Sequence, residues 1–331
     1  MKIALPVAVG VVMAVVSASS GGALGQSAAK GNYPNQQIRL IVPFAAGGIT
    51  DLLARMTGEH IKTQSGQSVI VENRPGAGGN TGLDLVAKAT PDGYTIGLSG
   101  ATIFGVNPHV FKQMPFDPMK DLIPVATIAE APQILVVNAA KVPATNLKEF
   151  IAFAKAHPGS LNHGSAGVGT PNHLGADQII RAAGIDVAHV PYRGGGPAVA
   201  DLVAGNVQVA VVAPGLVLEQ VKVGTLRILA TAAPKRLPFL QDVPTTAEQG
   251  LVTYDTANWF GIVAPAHTPI EVVVRLNTLI SSMSSDPAVT DRIANAYMLP
   301  LKTTPAQFIA MVKADAPKWA KVVTDAGIKA E

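Results

Sequence analysis

The sequence predicts an α/β protein of two domains, and three observations carry that prediction. The chain has 331 residues, 48% of them hydrophobic, enough for two buried cores. Short apolar runs of strand length alternate with segments of helical periodicity in both halves, a pattern that calls for parallel sheets covered by helices on both faces. Between the halves, residues 107–124 read NPHVFKQMPFDPMKDLIP, proline-rich and irregular, as befits a stretch that precedes a crossover.

Residues 1–25 carry one cation at Lys2, an apolar run over 3–16 and a small-residue end at Ala23, Leu24 and Gly25. That is the anatomy of a secretory signal peptide, with cleavage expected after Gly25. An uncleaved anchor is the competing reading, but the run is short for a membrane span. No later stretch is apolar enough for membrane insertion, so an exported, soluble chain is expected. The absence of cysteine removes disulfides, thiol nucleophiles, Cys-ligated zinc and a lipid-bearing cysteine, which suits a Gram-negative periplasm. Lys and Arg number 25 against 22 Asp and Glu, or 24 against 22 once Lys2 leaves with the leader, and they form no run. Nucleic acid is therefore not an expected partner.

After a spacer over 26–32, residues 38–42 (IRLIV) form the first strand. A glycine loop then opens a helix over 50–64, whose Leu52, Leu53, Met56 and Ile61 recur at helical spacing before Gly66 ends it. A strand over 68–71, the loop NRPGAGGNTG and a helix carrying Leu83, Leu85, Val86 and Ala89 follow, and Pro91, Asp92 and Gly93 turn the chain into a strand over 94–98. Apolar runs at 125–128 and 134–137 lead into the second domain. There the order is helix 147–156, strand 161–163, helix 172–183, strand 187–190, helix 198–204, strand 207–212, helix 216–223 and strand 226–230. A strand over 258–263 returns the chain to the first domain, which helices near 270–282, 287–296 and 304–326 complete. The first domain is thus expected to be discontinuous, 33–130 with 254–331, around a second domain of 131–253, with two crossings between them.

Three loops share one device. Gly47, Gly48, Ile49, Thr50 and Asp51 start the first helix; GSAGVGTP at 164–171 ends on a threonine suited to an N-cap and a proline suited to the first helical position; Gly194, Gly195, Gly196 and Pro197 repeat the arrangement with glycine as the cap. Each lies beyond the end of an expected parallel strand, where open α/β sheets bind ligands, and free helix N–H groups there suit a carboxylate or phosphate. Any one such loop is also a plain tight turn, and the residues alone leave both readings open. GAGGNTG at 76–82 misses the dinucleotide fingerprint by one residue and the P-loop lysine is absent, so no cofactor is expected.

The seven histidines show no metal-ligand spacing, and no metal is expected. His173 falls in the first turn of a helix facing the expected cleft, where the positive helix end disfavours the imidazolium. It suits a neutral hydrogen bond to a ligand, or support of its own loop. Asp51 suits the same helix end, but it would repel an anion unless turned away. Arg74, Arg193 and Arg227 each offer a partner for a carboxylate, and nothing in the sequence selects one. A hydrolase reading rests on GLSGA at 97–101, near the GxSxG elbow, with Asp242 or Asp255 and then His267 in hydrolase chain order. An elbow should run straight into a helix, and Thr102, Ile103, Phe104, Gly105 and Pro108 start one poorly.

The segments YPNQQIRLIVPFAAGGITDLLAR, VENRPGAGGNTG, PDGYTI, HGSAGVGTPNHL, HVPYRGGGPAVADLVAGNV, FLQDVPTTAEQG, WFGIVAPAHTP and KWAKVVTDAGIK resemble, in order and spacing, the periplasmic receptors of tripartite tricarboxylate transporters, the Bug proteins. The resemblance runs from Tyr33 to the C-terminus. It implies a type II periplasmic-binding-protein fold, a Venus flytrap of two α/β domains, and no catalysis. A small mono-, di- or aromatic carboxylate would be captured in the cleft for a permease with one large and one small membrane subunit, by a receptor expected to be a monomer. It also implies that the loops at 44–51 and 165–173 hold a carboxylate through backbone amides and ordered waters. The expected contacts are Phe44, Ala45, Gly47, Gly48, Ile49, Thr50, Asp51, Ser99, Ser165, Gly167, Gly169, Thr170, His173, Tyr192, Gly194 and Ala213. Ala45 and Ala46 stand where many relatives have prolines, His163-Gly164 replaces a frequent Tyr-Ala, and Gln208 a frequent Asp, so the identity of the ligand stays open. A sensor signalling through a membrane kinase would use the same cleft, and a secreted serine esterase through Ser99 is the remaining alternative.

Overall fold

The computed structural model describes Met1, residues 33–252, Tyr254 and residues 258–328. The expected signal peptide and spacer, Asp255 and the last three residues lie outside these. Residues 33–331 belong to one compact unit built on two sheets.

The first sheet grows from β1 (Ile38–Val42), flanked by β2 (Val69–Asn73) and β3 (Thr95–Gly100), with α1 (Ile49–Ser65) and α2 (Asn80–Ala87) as crossovers. β1 lies inside the sheet between β2 and β3, and Ile38, Leu40, Ile41 and Val42 are all buried, as expected for a parallel strand covered on both faces. α1 ends where Gly66 takes φ 75° and returns its N–H to the Lys62 carbonyl. β3 runs without a break into a five-residue π turn at Thr102–Val106, then α3 (Asn107–Val110), α4 (Pro118–Asp121) and β4 (Leu122–Glu130).

β4 leaves for the second sheet, entering it as β5 (Gln133–Asn138). There follow α5 (Leu147–Ala156), β6 (Leu161–Ser165), α6 (Pro171–Ala183), β7 (Val187–Pro191), α7 (Gly195–Ala204), β8 (Val209–Val212), α8 (Leu218–Lys222) and β9 (Leu226–Ala232). The chain re-enters the first sheet as β10 (Trp259–Pro265) and finishes with α9 (Ile270–Ser281), α10 (Pro287–Asn295), the short β11 (Leu299–Pro300) and α11 (Pro305–Ala326). The strand orders are β11-β4-β10-β3-β1-β2 and β7-β6-β8-β5-β9.

Both sheets are mixed, which corrects the expectation of parallel ones. β10 pairs antiparallel with β3 and β4, and β5 pairs antiparallel with β8 and β9. The strands that carry the chain out of one sheet and back have no βαβ crossover tying them to a neighbour, so the rule that forces parallel pairing does not act on them. Each sheet keeps a core on both faces. In the first, α1, α9 and α10 cover one side and α2, the π turn and α11 the other; in the second, α5 and α6 oppose α7 and α8. α11 is fastened to β10 by the Asp315 carboxylate, which accepts from the indole N–H of Trp259 at 2.8 Å and of Trp319 at 2.9 Å. Among the described residues no helix is long and apolar enough to cross a membrane.

Candidate functional site

The loops after β1, β6 and β7 face one another between the two sheets. Helices α1, α6 and α7 begin there on Gly48, Thr170 and Gly194, and none of the three has a side-chain cap. By contrast α4, α5, α10 and α11 each start on an Asp, Asn or Thr that accepts a backbone N–H. Thr170 occupies the N-cap position of α6 as expected, with Pro171 first in the helix, but its side chain does not cap. Its hydroxyl donates instead to the Gly167 carbonyl at 2.8 Å, so the first N–H groups of α6 stay free of a side-chain partner.

In the first loop, Asp51 is buried and both its oxygens are engaged. They accept from Gly47 N–H at 3.2 Å, from Arg55 at 3.0 Å twice and from Asn73 Nδ2 at 3.1 Å, while a second Asn73 bond reaches the Phe44 carbonyl at 3.0 Å. Burial alone would raise the Asp51 pKa, but the bonds from Arg55, Gly47 and Asn73 outweigh it and hold it below the ordinary carboxylate value. Asp51 therefore braces its loop. Because the Arg55 side chain is 56% exposed, screening leaves that pair little net stabilisation. Asp51→Asn is expected to cost about 1 kcal/mol of unfolding free energy, from the loosened Gly47 and Asn73 bonds. A denaturant titration measures it.

In the second loop, the Ser165 hydroxyl accepts from Gly167 N–H at 3.1 Å and lies 2.7 Å from His189 Nε2. His173 Nδ1 accepts from Gly169 N–H at 3.1 Å, which places the proton of a neutral His173 on Nε2. The rings of His173 and His189 are stacked with centroids 3.7 Å apart, and His163 stacks on His189 at 4.7 Å. Burial, followed by the neighbouring rings, pushes His163 and His173 down to about 3; burial pushes His189 to about 4. All three are neutral near pH 7, and their ring centroids form a triangle, with His163 and His173 5.8 Å apart. Among the described residues no such cluster is placed to hold a metal ion.

The lobes touch. Ala45 N–H donates to the Arg193 carbonyl at 2.9 Å, and Gly196 packs so closely that a Cβ there would lie 3.0 Å from the Gly47 carbonyl carbon and 3.1 Å from its oxygen. Enclosed beside this contact is about 480 Å³ of space, partly open to solvent, lined by Phe44, Ile49, Thr50, Thr102, Ala166, Thr170, Pro171, Asn172, Gly195, Ala213, Leu216, Asn258 and Phe260. None of these described residues is charged. The positive ends of the helices supply the polarity, which favours an anion.

Of the expected contacts, Phe44, Ile49, Thr50, Thr170 and Ala213 line this cavity, and Gly167 and Tyr192 line a neighbouring one with Phe44. Ala45, Gly47 and Gly194 make the lobe contact with Arg193 and Gly196, and Gly48 lies against Gly195 and Gly196. Asp51, Ser165, Gly169 and His173 hold the loops. Ser99 is buried inside β3 opposite Gly261, and its hydroxyl has no partner among the described residues. A helical turn does follow it, which the sequence reading did not expect. Yet among the described residues no base hydrogen-bonds to Ser99, and His267 lines a separate cavity with Phe104 and Ile309, so they form no triad. The expected contacts left out Thr102, Ala166, Pro171, Asn172, Gly195, Leu216, Asn258 and Phe260. Asn172, one residue after Pro171 at a helix start, was detectable; Thr102 depends on the π turn and Asn258 and Phe260 on the returning strand. Another cavity, lined by Glu130, Gln133, Tyr254 and Trp319 where the chain crosses between sheets, holds a carboxylate whose pKa burial and then Asp315 push up. An anion is disfavoured there.

The model of the tripartite tricarboxylate transporter family receptor, TctC, matches residues 53–328. Among solved structures the chain is similar to Rhodopseudomonas palustris Rpa4515 with adipate at TM-score 0.86 and 34% identity, covering 90% of this chain and 99% of that one. It is similar to the periplasmic binding protein BugD at TM-score 0.85 and 31% identity, over 90% and 100% of the two chains. It is similar to MatC from Rhodopseudomonas palustris with bound malate at TM-score 0.83 and 30% identity, over 88% and 100%. The fold is thus that of a two-domain periplasmic binding protein, and the chain belongs to the tripartite tricarboxylate transporter receptor family, whose members are solute-binding receptors rather than enzymes.

Proposed function

We propose that the cleft captures a small mono-, di- or aromatic carboxylate between the lobes and presents it, in the closed form, to a permease of one large and one small membrane subunit. The observation that carries this reading is the convergence of three uncapped helix N-termini, α1, α6 and α7, on a cavity without a charged side chain. Backbone N–H groups at Ile49, Thr50, Asn172 and Gly195, with the Thr50 and Thr102 hydroxyls, are the proposed donors. Phe44 and Ala213 form apolar walls, Ala45, Gly47, Gly48 and Gly194 close the cleft, and Asp51, Ser165, Gly169 and His173 act through loop shape. The bound adipate and malate of the two relatives support the ligand class.

The protein is proposed to act as a periplasmic monomer after loss of residues 1–25, with lobes of 33–130 plus 254–331 and 131–253. A thermal-shift panel of carboxylates with their amides tests the ligand class. At a hundredfold excess over Kd, binding to the folded state alone adds about 2.7 kcal/mol, a rise of roughly 5 °C in Tm for a chain of this size. Carboxylates are expected to give it and amides not. Uniform silence across aliphatic, aromatic and amino-acid carboxylates would end the proposal. Loss of solute uptake on deleting the receptor, with the permease still expressed, separates transport from kinase signalling.

A further inference from the structure

Beside the cleft cavity lies a second, larger space. Phe44 and Ala166 line both, and the outer chamber offers about 660 Å³, partly open to solvent, bounded by the turn of Gly76 to Gly79, Phe111, Tyr192 and Arg193. The arrangement is built rather than incidental. Gly78, at φ 60°, lies flat against Phe111, whose ring would be 3.2 Å from any added Cβ. The Tyr192 hydroxyl donates to Asp201 at 2.6 Å, which fixes the ring and occupies that carboxylate together with Asn206.

The charges around the chamber are unequal in their commitments. Of the three arginines that the sequence could not rank, Arg74 is paired with Glu72 at 3.1 Å, which also binds Arg39, and Arg227 donates to the Ala144 carbonyl at 2.9 Å. Arg193 lines the outer chamber, and its guanidinium has no hydrogen-bond or ion-pair partner among the described residues. Its backbone is held, because its carbonyl accepts the Ala45 N–H in the contact that closes the lobes. An exposed planar cation with five donors, carried on the loop after β7 with its own backbone held by Ala45, suits bidentate recognition of a carboxylate.

We propose that the outer chamber is a distal subsite for elongated dicarboxylates, with Arg193 binding the second carboxylate while the spacer passes the Phe44 ring. This rests on the proposed carboxylate clamp at the helix N-termini and adds the residue that distinguishes ligands by their far end. A monocarboxylate of the same chain length fills the inner cavity and leaves Arg193 to water. Aromatic walls at Phe44, Phe111 and Tyr192 favour an apolar spacer over a hydroxylated one.

Calorimetric titration of the full mature chain with succinate, adipate and suberate, each beside its monoacid butyrate, hexanoate or octanoate, tests this. In the wild type, at least one of the longer diacids is expected to bind roughly ten- to hundredfold more tightly than its monoacid, the gain of one charge-assisted bidentate contact. Arg193→Gln is expected to remove that advantage, bringing diacid and monoacid together, and Arg193→Lys to keep part of it. Equal weakening of both series by Arg193→Gln would show a general effect on closure and overturn the subsite, as would an undiminished diacid preference. Monoacids binding the wild type as well as diacids would overturn it while leaving the carboxylate clamp standing. Silence of both series would take down the clamp and this inference together.

Discussion

Gly196→Val is expected to weaken ligand binding roughly ten- to hundredfold while leaving unfolding of the unliganded protein unchanged. The reason is geometric. A Cβ at this position meets the Gly47 carbonyl carbon at 3.0 Å, its oxygen at 3.1 Å and the Ala46 oxygen at 3.2 Å, all backbone atoms of the opposite lobe. Backbone cannot rotate aside as a side-chain tip can, and overpacking of this kind costs about 1–3 kcal/mol. The cost falls on the closed arrangement alone. Opening the cleft relieves it, so the folded chain survives, but only a fraction reaches the binding-competent state and the apparent Kd rises by the inverse of that fraction. Titration calorimetry reads the affinity, and small-angle scattering with and without ligand reads closure. An unchanged Kd would mean that ligand binding does not require the contact between Gly196 and Gly47.

Acidification below pH 6.5 is expected to destabilise the protein through the histidine stack. His163 and His173 titrate near 3 and His189 near 4 in the folded chain, against 6.5 for an ordinary imidazole. A folded value below the unfolded one means that the unfolded state binds more protons between the two. The contribution is fully present above about pH 6.5 and is lost as pH falls toward 3, at up to roughly 1.4 kcal/mol per histidine for each pH unit. Protonating His173 also places a hydrogen between Nδ1 and the Gly169 N–H that now donates to it, so the loop between β6 and α6 loses its brace. His163 provides the control. Its Nδ1 is buried without a partner among the described residues, so His163→Phe removes a titrating group without breaking a bond seen at that atom. The slope of unfolding free energy against pH between 6 and 4.5, from urea titrations, is expected to flatten in this variant. An identical slope would place the acid sensitivity elsewhere.

The outcome of reading the chain residue by residue follows how local each signal is. Gly48, Thr170 and Gly194 mark helix starts because glycine, threonine and proline at a strand-to-helix turn act over a few neighbours, and all three helices begin within three residues of the expected positions. β4 and β10 looked like ordinary strands, yet their antiparallel pairing follows from where the chain goes next, which no window of residues contains. The π turn at Thr102 contains Gly105, which packs against Trp319 far along the chain, a neighbour no local window includes. The histidine stack draws one ring each from β6, α6 and β7, so its three members look like unrelated residues until the sheet aligns His163 opposite His189. Arg193 could not be told from Arg74 or Arg227 by sequence, because what separates them is whether a partner has been found in space.

The central claim is that a carboxylate is held by the uncapped N-termini of α1, α6 and α7. Backbone amide resonances of the isotope-labelled protein, followed while the best carboxylate from the thermal panel is added, test it directly. The largest shifts are predicted at Ile49, Thr50, Asn172 and Gly195, saturating together with one Kd. Shifts centred instead on Glu130, Gln133 and Tyr254 at the crossing between the sheets, with those four amides unmoved, would contradict it.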